Sequence, residues 1–72
     1  MKQNVHVIFR VQEVSGGEPW IRLEPIDKDL KVLGNGFLGF ELPEGTTINT
    51  AEEIAAFLQE NISSVCYTSP SE

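Results

Sequence analysis

Residues 33–45 read LGNGFLGFELPEG. Within them Gly34-Asn35-Gly36-Phe37-Leu38-Gly39 matches G-x-G-x-x-G, a glycine pattern that lets backbone amides approach the phosphates of a nucleotide. In a dinucleotide fold those glycines open a helix whose N-terminal amides meet the pyrophosphate. Here Leu38, Phe40 and Leu42 alternate with Phe37, Gly39 and Glu41, and Pro43 closes the run. Period two means a strand, not a helix. A kinase-like glycine loop does sit on a hairpin, but it needs a following lysine and carboxylates for Mg²⁺, and no Lys or Arg occurs after Lys31. The stretch therefore reads as a chain reversal. Asn35-Gly36 between the apolar runs LKVL and FLGFEL predicts a type I′ hairpin, with Gly39 marking a bulge or a close approach. The rival reading is small-anion binding or catalysis by a backbone nest at Gly34–Gly39.

Toward the N-terminus, VHVIFRVQEV sets Val5, Val7, Phe9 and Val11 against His6, Ile8, Arg10 and Gln12, a strand pattern. SGGEP breaks it, and WIRLEPI resumes with Ile21 and Leu23 opposed to Trp20, Arg22 and Glu24. Pro25, lacking an amide donor, should end that strand, bulge it or place it at an edge. A loop over residues 15–19 predicts a register with Arg10 opposite Glu24, Gln12 opposite Arg22, Val14 opposite Trp20, Ile8 opposite Ile26 and Val11 opposite Leu23, which joins opposite charges and apolar pairs.

On the C-terminal side, Thr50 and Glu53 have capping-box spacing, with Glu52 and Glu53 in the first turn where the helix dipole favours acids. Ile54, Phe57, Leu58 and Ile62 form the expected apolar stripe, leaving Gln59 and Glu60 to solvent. SVCYT is a last short strand that takes in Cys66 as a small hydrophobe, and residues 69–72 a disordered tail. The predicted fold is α+β, in the order β-β-(β)-β-α-β. A small antiparallel sheet carries one amphipathic helix on one face, in a single domain over residues 1–68.

Composition narrows the function classes. Seventy-two residues make one domain with a small core. One cysteine allows no internal disulfide, and no Cys/His set could hold zinc, so neither metal nor other cofactor is expected. No apolar run is long enough to span a membrane. MKQNVHVIFR lacks the long apolar region of a secretion signal, so the expected location is the cytoplasm. The net charge is −6, and residues 32–72 carry six acids and no base. That field repels phosphate backbones and argues against direct nucleic-acid binding. It would suit an acidic inhibitor that imitates a nucleic-acid backbone, acting through Glu52, Glu53 and Glu60.

No nucleophile, base and orienting group converge by spacing, so no catalytic residue is assigned. His6 reads as an exposed strand histidine. Asp27/Asp29 read as a turn, and Glu52/Glu53 as a helix start. One helix covers one face of a sheet, so the other face is left with Ile8, Val14, Trp20, Ile26 and Phe37 among His6, Arg10 and Arg22. An apolar patch edged by arginine is typical of interfaces. The expected role is a non-enzymatic protein-interaction or regulatory module, binding a protein partner or itself as a homodimer. Its contact residues would be Ile8, Arg10, Trp20, Arg22 and Phe37.

Overall fold

The structure, a computed structural model, describes residues 2–13, 17–68 and 70. Val14 and, apart from Pro70, the expected tail lie outside the described residues. Four antiparallel strands, β1 (Lys2–Gln12), β2 (Trp20–Pro25), β3 (Leu38–Glu41) and β4 (Ser64–Thr68), form one sheet in the order β3-β2-β1-β4. One helix, α1 (Ile48–Asn61), packs on one face, mainly over β1 and less over β2. The α+β architecture read from the sequence is the architecture observed.

The β1–β2 register is shifted by two residues from the expected one. Arg10 faces Arg22, Ile8 faces Glu24, Gln12 faces Trp20 and Val11 faces Ile21. A two-residue shift keeps every side chain on its face, so alternation cannot detect it. The far end of the hairpin holds the observed register. Ile26 N–H donates to the His6 carbonyl at 2.9 Å, and Asp27 Oδ1 accepts from His6 N–H at 3.0 Å. The attraction of Arg10 for Glu24 survives on the diagonal, at 3.1 Å. Of the three outcomes expected at Pro25, the strand end is the one observed: β2 stops there, beyond the last β2–β3 pair, Leu23–Leu38, and lies inside the sheet rather than at its edge.

LKVL is not a strand, and Asn35-Gly36 is not a type I′ turn. Lys31–Leu33 is a 3₁₀ turn closed by Leu33 N–H to the Leu30 carbonyl (3.1 Å) and Gly34 N–H to the Lys31 carbonyl (3.2 Å). The positive φ in this loop falls at Gly34 (58°), and no non-glycine among the described residues has one, whereas type I′ would need it at Asn35. This wide connection is folded over the core instead. The Gln3 carboxamide donates to the Asp29 carbonyl (2.8 Å) and accepts from Lys31 N–H (3.1 Å). Leu30 is thereby seated against Val5, Val7 and Leu23. Val5, Val7, Ile21 and Leu23 are fully buried, each contributing about 1.5–3 kcal/mol by leaving water.

The helix begins three residues earlier than expected. Its cap is Thr47, whose Oγ1 accepts from Thr50 N–H at 3.2 Å, so the Thr50–Glu53 capping box does not form. Glu52 and Glu53 consequently miss the first turn. The face against the sheet is Ala51 and Ala55 with Ile54 and Leu58 half-buried beside them, an i, i+3, i+4, i+7 set. Phe57 is 65% exposed and Ile62 is exposed, so the predicted stripe is rotated. Alanine at the contact lets helix and sheet approach closely, and the larger side chains flank that contact. Gln59, expected in solvent, reaches β1: its Oε1 accepts from Phe9 N–H (2.9 Å) and its Nε2 donates to the Val7 carbonyl (3.3 Å). Leu38 and Phe40 lie on the helix side, yet the helix leaves them 43% and 39% exposed.

Gln59→Ala should cost about 1–2 kcal/mol by removing both bonds to β1 and should speed exchange of the Phe9 amide. Glu60→Ala, exposed on the same helix, should stay within about 0.5 kcal/mol. Urea unfolding with amide exchange checks both, and equal effects of the two substitutions would show that Gln59 does not hold the helix.

Candidate interaction surface

The sheet face turned away from α1 carries the even-numbered residues of β1 and β2, because their odd-numbered neighbours fill the core. Trp20 stacks on Phe37 with ring centroids 5.8 Å apart and planes 19° from parallel. The Arg22 guanidinium carbon lies 4.4 Å from the Phe37 centroid, a cation–π contact. Gly39 makes this arrangement possible. A Cβ there would collide with Cζ3 and Cε3 of Trp20, so the indole lies across bare backbone. The close approach expected at Gly39 is made by a side chain.

Arg10 and Arg22 share one carboxylate, Glu24, at 3.1 and 3.8 Å. The Arg22 Nε is buried without a hydrogen-bond partner among the described residues, leaving the guanidinium held chiefly by Phe37. Ile8 is half-buried opposite Glu24, and the Arg10–Arg22 rung separates it from the Gln12–Trp20 rung. The candidate residues thus form an aromatic end (Trp20, Phe37) and an aliphatic end (Ile8), joined by a charged rung. Ile26 is exposed beyond the end of β2. A cleft of about 700 Å³ opens beside Trp20, with Glu18, Glu41 and Glu44 in its lining and no basic side chain. Glu18 Oε2 accepts from Gly45 N–H at 2.6 Å.

The other candidates are placed elsewhere. Glu52, Glu53 and Glu60 are exposed on α1, across the sheet from Trp20. At the Gly34–Gly39 loop, the Gly34 and Gly36 amides donate to the carbonyls of Lys31 and Leu33, and Glu24 and Asp29 border the adjoining hollow with Arg22. Those two amides are therefore spent on local turns rather than aimed at an anion. Cys66, expected to be buried, is exposed: it lies opposite Asn4 on the sheet face turned away from α1, while Val65 packs against the core from the other face. Among the described residues no three potential ligands are grouped to hold a metal ion.

His6 is exposed as expected, but it has a partner that its local sequence did not reveal. Asp27 Oδ2 lies 2.9 Å from His6 Nδ1. The hydrogen bond with the imidazole holds the Asp27 carboxyl below its ordinary value. Twenty-one positions separate the two, and only the true register brings them together. Comparison with family models, curated proteins and solved structures finds no match to the chain.

Two outcomes are expected from this geometry. Gly39→Val should displace the indole from Phe37 and change the near-ultraviolet circular dichroism; an unchanged spectrum would mean the stack does not depend on Gly39. Asp27 should titrate below a free aspartate, about 3.9, and His6→Ala should raise it. Because the folded value is the lower one, the stabilisation from Asp27 is complete above the unfolded value and is lost as pH falls through the folded one. A carboxyl ¹³C titration reads this directly, and an Asp27 value indifferent to His6→Ala would contradict it.

Proposed function

We propose that the chain is a non-enzymatic protein-interaction module of the cytoplasm that presents its Trp20 face to a protein partner or to a second copy of itself. The observation that carries this reading is the Trp20–Phe37–Arg22 stack on the face the helix leaves uncovered, with Phe37 56% exposed. Tryptophan and arginine dominate the energetics of protein contacts because each offers a large, rigid surface with a polar handle. Gly39 seats the indole and the Phe37 ring holds the Arg22 guanidinium, so little side-chain freedom remains to be lost on association. The carboxylates of Glu18, Glu41 and Glu44 around the adjacent cleft favour a partner that brings a basic side chain to the edge of the indole. The same negative field disfavours phosphate backbones. No helix among the described residues is long and apolar enough to cross a membrane.

Trp20→Ala and Phe37→Ala, each checked for intact helix content, should weaken self-association or partner retention at least about tenfold, the scale of a modest hot spot. Light scattering and pull-down measure this. Unchanged oligomeric mass and an unchanged set of retained proteins in both variants would remove the assignment.

A further inference from the structure

We propose a second binding site, independent of the Trp20 face: the free edge of β1 from Phe9 to Gln12, flanked by α1, takes up an extended basic peptide as an added strand. The odd-numbered residues of β1 direct their N–H and C=O groups toward β4. The β1–β4 ladder ends at His6–Ser64, followed by one bond from Val7 N–H to the Ser63 carbonyl at 3.3 Å. β1 continues to Gln12. The first rung beyond β4 is occupied by the Gln59 carboxamide, which bonds Phe9 N–H and the Val7 carbonyl. A carboxamide is chemically a peptide group, so this edge already holds the chemistry that an added strand would bring. Past it, the Phe9 carbonyl and the Val11 N–H have no hydrogen-bond partner among the described residues. The Val11 carbonyl meets only the neighbouring Gln12 Nε2, at 3.3 Å. Such unpaired edge groups are the template for strand addition.

The space beside the edge is a groove of about 450 Å³ lined by Phe9, Val11, Glu52, Ala55, Ala56 and Gln59. Ala56, small and exposed on the helix wall, leaves room there for an incoming side chain. The groove's charge selects the occupant. Glu52 forms part of its wall, Glu53 and Glu60 are exposed on the same helix, and no base occurs after Lys31. Arg10, the one base at the groove, is paired with Glu24. A second copy docked edge to edge would bring its own helix acids to the same place, and like charges would oppose it. A foreign segment with an apolar residue over Ala56 and a lysine or arginine two positions along, on the same side, satisfies both walls.

The test uses the whole chain and two blocked peptides, Ac-TVTKTVT-NH2 and Ac-TVTETVT-NH2, followed by amide NMR and hydrogen exchange. The lysine peptide at millimolar concentration should shift the Phe9–Gln12 amides and slow exchange at Val11. The glutamate peptide should bind about threefold to fivefold more weakly, the scale of one exposed ion pair. Glu52→Lys, on an exposed position, should reverse that order, and Val11→Pro, which deletes the edge donor, should abolish binding. Trp20→Ala should leave binding unchanged, which separates this site from the face proposed above. Three results would overturn the proposal: no shift at Val11, shifts confined to β3 or the outer edge of β4, or slowing at Val11 that depends on protein concentration without peptide.

Discussion

A single carboxamide, that of Gln59, determines how this small fold is distributed. By accepting from Phe9 N–H and donating to the Val7 carbonyl, it ties α1 to the backbone of β1 where β4 stops. Ala51 and Ala55 then let the helix settle closely over β1 and part of β2. With the helix held there, one helix cannot also cover β3. Leu38 and Phe40 stay partly exposed on the helix side, and the opposite face has no cover from α1. The anchoring point thus accounts for the exposure of Leu38 and Phe40, whereas the Trp20 face is open because the single helix packs on the other side of the sheet.

The connection between β2 and β3 compensates for the short reach of the helix. Gln3 clamps it at the Asp29 carbonyl and the Lys31 amide, which places Leu30 over Val5, Val7 and Leu23. Two side-chain amides from opposite ends of the chain thus close the core from two directions. Both lie on polar residues whose local sequence gives no hint of the task. In a chain of this size each small contribution matters, because the net stability left after conformational entropy is small.

The sheet was legible because alternation is a physical signature. Val5, Val7, Ile21 and Leu23 are inside for the reason their spacing suggests, and Pro25 ends its strand for want of a donor. The register was not legible, since a two-residue slip preserves both faces and what holds the observed one, the bonds of His6 to Ile26 and Asp27, lies at the far end of the hairpin. LKVL and the helix stripe misled for a shared reason. Apolar residues mark surfaces that can be buried, but tertiary contacts choose among them, and here Leu30 and the alanines were chosen over Val32 and Phe57. Of the candidate surface, Trp20, Arg22 and Phe37 do come together. The enabling role of Gly39 required knowing that the indole crosses it. Glu52, Glu53 and Glu60 do not join that surface, because the helix lies across the sheet from it.

Trp20 is the only tryptophan in the chain, so its emission reports on the proposed contact face without labelling. The decisive measurement is acrylamide quenching of that emission in the free chain and in its associated state, whether self-associated or bound to a retained partner. If the Trp20 face is the contact surface, association shifts the emission to shorter wavelength and lowers the quenching constant. An associated state whose Trp20 emission and quenching match those of the free chain would place the contact elsewhere on the molecule.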